Sequence, residues 1–289
     1  MKMPRRRLAA AALATPLLLA GCGDPLTGGD SGTRVVTSFY PLEYVAERIV
    51  GEHADVVTLT SPGVEPHDLE LTVRQTAEVS EADLVVYEKG LQPAVDAAVA
   101  EHGPEQVVEA TDVVALTEGD LHFWLDPVRL AEVAAEVEAR VAEIDPDNAA
   151  DYEANLATLR AGLESVHTEY TDGLAECKLD TVVVSHDAFG YLEQYGLHFK
   201  PIAGLSPDAE PSPKHLTELA ELIESEGITT VFSETLASPA MAETLASDLG
   251  LDTAVLDPIE GLSDATAGED YLSLMRANLA ALQEANECR

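Results

Sequence analysis

VVTSFYPLEYVAERIVGEHADVVTLT, residues 35–60, decides the fold. Its two ends, 35–40 (VVTSFY) and 55–60 (DVVTLT), are short runs rich in β-branched residues, and 42–50 between them has the apolar spacing of a helix. Strand, helix and strand in that order is the unit of a parallel α/β sheet. Outward from this stretch the pattern repeats, with a helix at 73–82, a strand at 83–87 (DLVVY) and a short run at 107–108. Asp126-Pro127 then reads as a helix start, Asp able to cap and Pro suited to the first turn, opening an acidic helix that runs to about 144.

From 146 to 174 the period changes. Tyr152, Leu156, Leu159, Leu163, Val166, Tyr170 and Leu174 recur at steps of three or four, which predicts one long amphipathic helix. At 1.5 Å per residue it would run roughly 40 Å, the length of a strut between two lobes. The alternation then resumes with strands at 181–185, 199–203, 229–233 and 253–256 and helices at 214–226 and 239–249. The expected architecture is α/β: two Rossmann-like lobes with parallel sheets, 34–145 and 176–289, joined by a rigid helix at 146–175.

The first residues set the compartment. Lys2, Arg5, Arg6 and Arg7 precede an apolar run from 8 to 20, and Leu19-Ala20-Gly21-Cys22 follows. That order reads as an export signal over 1–21, and the run falls short of the roughly 20 residues a spanning helix needs. Leu-Ala-Gly-Cys resembles a lipobox, which implies cleavage before Cys22, lipidation there and an anchor to the outer face of the cell membrane. Residues 22–33 have a tether's composition. With Cys22 so used, Cys177 and Cys288 remain as an even pair in an oxidising compartment, either a disulfide or two free thiols.

The chain carries 53 Asp and Glu against 16 Lys and Arg, a formal charge of −37, and removing the signal takes away four of the basic residues and none of the acidic ones. Nucleic-acid binding is excluded on that balance, and the acid reads as a solvated surface. No Gly-rich phosphate loop, nucleophile elbow, C-x-x-C pair or H-E-x-x-H run occurs, which argues against an enzyme, including a secreted zinc hydrolase.

Four side chains able to hold a metal fall at or just beyond strand ends, where open α/β sheets bind ligands: His67 in PHDLE, His122 in HFWLDP, His186 in SHDAFG and Asp257 in LDP. Glu234 is the rival carboxylate, and Pro258 also permits Asp257 to be a turn-forming residue. His53, His102, His167, His198 and His215 read as solvated or hydrogen-bonded side chains, Asp126 as a cap and Trp124 as packing.

TSFYPLEYVAERIVG, VEPHDLELT, HFWLDP, SHDAFGYLEQYGL, VFSE at 231–234 and LDPIEGL, in this order across 35–282, resemble the cluster A-I metal-binding lipoproteins of bacterial ABC importers. The resemblance implies that His67 and His122 from the first lobe and His186 and Asp257 from the second close on one ion in the cleft. It further implies a monomer that carries Zn²⁺ as cargo and delivers it to an ABC permease with its ATPase. The His-rich loop that many zinc-binding members carry is absent from 111–121, and this leaves Mn²⁺ or a broader divalent range as the alternative. Manganese members often place a carboxylate where His186 stands, and nitrogen donors favour zinc.

Overall fold

The structure, a computed structural model, describes residues 32–117 and 119–289. The expected signal segment, Cys22 and nearly all of the tether lie outside the described residues. The first sheet is built from β1 (Thr33–Thr37), β2 (Ala54–Thr58), β3 (Leu84–Tyr87) and β4 (Val107–Glu109), with α1 (Tyr40–Val50), α2 (Val73–Glu81), α3 (Pro93–His102) and the short α4 (Ala110–Val113). Its strand order is β2-β1-β3-β4, every pairing parallel. Two helices follow, α5 (Pro127–Ile144) and α6 (Ala149–Gly173). The second sheet contains β5 (Thr181–Val184), β6 (His198–Pro201), β7 (Thr230–Ser233) and β8 (Asp252–Val255), with α7 (Pro213–Glu226), α8 (Ala240–Leu249) and α9 (Tyr271–Ala285). Its order, β6-β5-β7-β8, is again wholly parallel and repeats the plan of the first.

The inner strands β1, β3, β5 and β7 are covered on both faces, so their buried stretches read as continuous apolar runs rather than as alternating ones. Val182 and Val184 of β5 face the molecule's central core, whereas Val183 between them packs outward with Leu219, Ile223 and Ala246 of α7 and α8. In the first sheet Val35, Leu84 and Val86 face the centre, and Val36 and Val85 face outward with Val79 and Val95 of α2 and α3. β1 stops at Thr37, short of the expected 40, because the chain turns at Phe39 into α1 with Pro41 in its first turn.

The central core is continuous through the molecule. It joins Val35 and Val86 of the first sheet, Leu156, Leu163 and Val166 of α6, Val184 and Phe232 of the second sheet, and Leu274 and Met275 of α9. The buried residues of α6 are Tyr152, Leu156, Leu159, Leu163, Val166 and Tyr170, six of the seven positions expected from sequence, and the 25-residue helix measures about 38 Å. The Asp126 carboxylate accepts the Val128 backbone N–H at 2.9 Å, capping α5 where the sequence places its start.

Cys177 and Cys288 are joined by a disulfide across a separation of 111 residues. Beside it the Lys178 and Leu179 backbone N–H groups donate to the Asn286 carbonyl at 3.0 and 3.1 Å, fastening the entry to β5 to the end of α9. A closed loop of this size restricts the unfolded chain by roughly 4 to 5 kcal/mol in the chain-entropy model. The Cys177→Ser, Cys288→Ser double variant is expected to lose stability of that order in denaturant titrations, and unfolded, unreduced wild-type protein is expected to offer no thiol among these two positions to a labelling reagent.

Candidate metal centre

His67, His122, His186 and Glu260 converge on one point, their ligand atoms all within 4.8 Å of one another. Each follows a strand's carboxyl end. His67 sits in the 3-10 turn Pro66–Asp68 beyond β2, and His122 caps the 3-10 turn Phe123–Leu125 beyond β4. His186 follows β5 by two residues and Glu260 follows β8 by five. Two donors therefore come from each lobe, and neither lobe holds the set alone.

The Glu260 Oε1 atom lies 3.4 Å from His67 Nε2, 3.3 Å from His122 Nε2 and 3.6 Å from His186 Nε2, and the last two nitrogens are 3.4 Å apart. Neither Glu260 oxygen has a partner of hydrogen-bonding geometry, although the side chain is only 1% exposed. His122 and His186 are equally enclosed, whereas His67 keeps 14% exposure at the solvent edge. Burial works to push the Glu260 carboxyl up, but the surrounding imidazoles outweigh it and hold the group well below the usual carboxylate range.

The imidazoles are oriented from behind. Glu234 accepts the His186 Nδ1–H at 2.5 Å and the Ser185 hydroxyl, and Asp120 accepts the His122 Nδ1–H at 2.7 Å. With Nδ1 donating, Nε2 is the atom presented to the cluster. For His186, burial acts to lower the pKa, but the hydrogen bond it donates to Glu234 and the negative charges of Glu234 and Glu260 raise it to about 10. His122 is raised for the same kind of reason, with Asp120 and Glu260 overcoming burial. Glu65, whose carboxylate accepts the His67 backbone N–H, is pushed up to about 8 by burial and then by the Glu260 charge.

Of the four residues expected from sequence, the structure brings His67, His122 and His186 together, with Glu260 where Asp257 was expected. The expected Asp257 is not in the cluster, because both its oxygens are engaged elsewhere. Oδ2 accepts the Thr235 hydroxyl and Oδ1 the Ile259 N–H, each at 2.8 Å. Its backbone is paired with the Asn278 amide through bonds of 2.9 and 2.6 Å. Asp257 is thus the turn-forming residue, and with Ile259 at φ 58° the turn delivers Glu260 instead. The rival, Glu234, stands behind His186. Asp120 and Glu65 were not singled out from sequence, and only their nearness to His122 and His67 in the chain could have flagged them. Of the other histidines, His53 pairs with Asp151, His167 Nδ1 with the Tyr195 hydroxyl and His215 Nε2 with the Pro201 carbonyl.

The lobes meet around this cluster. Trp124 donates its indole N–H to the Pro258 carbonyl at 2.7 Å, Tyr271 donates to the Trp124 carbonyl at 2.5 Å, and Gly63 N–H donates to the Leu262 carbonyl at 2.7 Å. A two-lobed α/β protein with a buried three-histidine, one-glutamate cluster at the lobe junction is of the metal-binding kind. The chain belongs to the family described as zinc-uptake complex component A, periplasmic, whose model matches residues 35–285. It is 33% identical to the high-affinity zinc uptake system protein ZnuA of Bacillus subtilis, covering 93% of each chain. It is also 33% identical to the zinc-binding lipoprotein AdcA of Streptococcus pneumoniae over 94% of this chain, and it spans 59% of that longer protein. The crystal structure of the Zn(II)-bound ZnuA-like domain of that AdcA superposes with a TM-score of 0.78 at 34% identity, covering 89% of this chain and 99% of the domain.

Exchanging the two acids separates their roles. Glu260→Gln is expected to weaken metal binding by at least tenfold in chelator-buffered titrations, since it removes the negative charge and leaves only a neutral, weaker amide oxygen in the shell. Asp257→Asn is expected to bind metal within a few-fold of wild type while lowering thermal stability, because it disturbs the turn and leaves the donor set in place.

Proposed function

We propose that the chain captures Zn²⁺ outside the cytoplasm and delivers it to the permease of an ATP-driven importer, held at the membrane by lipid on Cys22. The observation that carries this reading is the spacing of the four donors. A tetrahedral zinc ion with arms of 2.0–2.1 Å has donor-to-donor edges of about 3.3–3.4 Å. Four of the six separations among the Nε2 atoms and Glu260 Oε1, at 3.3, 3.4, 3.4 and 3.6 Å, lie near that edge length, and all six fall within 4.8 Å. Three neutral imidazoles and one carboxylate leave a shell of net charge about +1, and four protein groups fill the position that a catalytic zinc keeps open for water. Binding and release rather than hydrolysis is the chemistry such a shell supports. The Zn(II)-bound state of the AdcA domain and the zinc-uptake naming of the relatives support the same cargo.

Nitrogen donors rank zinc above manganese in the usual affinity order. His186 supplies the third of these nitrogens, held by Glu234. In direct competition on chelator-stripped protein, zinc is expected to displace manganese, and His186→Glu is expected to keep a metal site while narrowing the preference. A wild-type preference for manganese would overturn the cargo assignment.

The same site makes binding pH-dependent. His122 and His186 hold protons above the ordinary histidine range in the metal-free protein, so the incoming ion must displace them. Zinc affinity therefore rises with pH and weakens as pH falls. Because the folded pKa of His186 exceeds the unfolded value, its contribution to metal-free stability is present below about 6.5 and lost as pH climbs through about 10. Calorimetry in buffers of different ionisation enthalpy is expected to show net proton release on zinc binding at neutral pH. Binding without proton release would contradict these protonation states.

A further inference from the structure

The segment that carries His122 is not held by the first lobe alone. The turn closes on itself, with Asp120 N–H donating to the Thr117 carbonyl at 2.9 Å, and it ends in a carboxylate that does double duty. Asp120 Oδ1 accepts both the His122 backbone N–H at 2.9 Å and its ring Nδ1–H at 2.7 Å. Asp120 thereby sets which way the imidazole faces and which nitrogen is offered to the metal.

Both ends of that turn are pinned by one phenol from the other lobe. The Tyr191 hydroxyl donates to the Asp120 carbonyl at 2.9 Å and accepts the Thr117 N–H at 3.0 Å. The Tyr191 side chain is buried, and the Arg129 guanidinium lies 5.2 Å from its ring centroid. Beside it, Gly190 lets the carboxylate approach. A Cβ built on Gly190 would stand 2.8 Å from Asp120 Oδ2, closer than real Cβ atoms come. Gly190 is outside the positive-φ glycines, so closeness and not backbone conformation is what this position requires. Gly190 and Tyr191 open the helical turn Gly190–Tyr195, only four and five residues beyond His186.

We infer that Gly190 and Tyr191 form an inter-lobe clamp on the His122 turn, acting with Asp120 as positioning residues for zinc. The inference rests on the reading of His122 as a zinc ligand. Through the clamp, the stretch of chain that bears His186 also fixes the orientation of His122, so the two imidazoles whose Nε2 atoms lie 3.4 Å apart are set against each other by direct bonds. Parting the lobes here breaks the phenol's two bonds, loosens the turn and misaligns one ligand while the ion is still held by the others. The clamp therefore acts on how fast zinc leaves.

The test is stopped-flow release of zinc to a chelator from the zinc-loaded, full mature protein. Melting of the metal-free form and NMR of the His122 ring in the loaded form accompany it. Tyr191→Phe removes only the hydroxyl, and Gly190→Ala only crowds the Asp120 carboxylate. Each is expected to raise the zinc dissociation rate about tenfold, within the range that outer partners of metal-binding histidines command. The metal-free melting temperature is expected to stay near wild type, and the His122 signals are expected to broaden or shift. The double variant should gain little over the worse single one, since both act on one turn. Tyr195→Phe, which alters a phenol of the same helical turn that bonds His167 instead, should release zinc at the wild-type rate. Wild-type release from both Tyr191→Phe and Gly190→Ala overturns the clamp, as does faster release only in proportion to lost melting temperature. Failure of the wild-type protein to bind zinc at all overturns the functional reading first.

Discussion

A carboxylate buried among three imidazoles with no hydrogen-bond donor of its own is the constraint on which the structure depends. Removing a charged group from water costs several kcal/mol unless charge or hydrogen bonds replace the solvent. Glu260 is 1% exposed, and what faces it is three Nε2 atoms at 3.3 to 3.6 Å. In the metal-free protein, protons held by His122 and His186 supply compensating charge, and a dication supplies it better. That exchange is the physical basis of binding: the site is charged to accept a metal and pays for its burial with protons until one arrives.

Everything that assembles this cluster is a property of two lobes together. The parallel strands of both sheets point their carboxyl ends at the junction, which is why loops beyond β2, β4, β5 and β8 all supply donors. The continuous core beneath, with α6 and α9 packed through it, makes separation of the sheets expensive, because apolar surface exposed to water costs about 25 cal/mol per Å². Trp124 shows how closely packing and binding are joined. Its ring packs edge-on against Phe39 at 4.8 Å and its indole bonds across the junction to Pro258, while its neighbour two residues earlier is the ligand His122.

The sequence disclosed those features whose cause is local. Strand runs, the Asp126 cap and the three-and-four spacing from Tyr152 to Tyr170 are short-range signals, and the structure has each within a few residues. His67, His122 and His186 were legible because a histidine at a strand end in a distinctive motif has few other uses. The fourth donor was not legible, since Asp257 and Glu260 are three residues apart in LDPIEG and only the course of the turn separates them. Ile259 at φ 58° is a backbone state that sequence does not favour for a β-branched residue, and it is what sends Glu260 inward. The approach of Cys177 to Cys288 and the contact of Tyr191 with the Asp120 turn are likewise tertiary facts, 111 and 71 residues apart in the chain.

The most direct measurement is a crystal structure of the zinc-loaded protein with anomalous data collected on both sides of the zinc absorption edge. One anomalous peak is expected, with Nε2 of His67, His122 and His186 and an oxygen of Glu260 each at about 2.0–2.2 Å from it. A peak bound by Asp257 in place of Glu260, or one lacking any of the three imidazoles, would contradict the account.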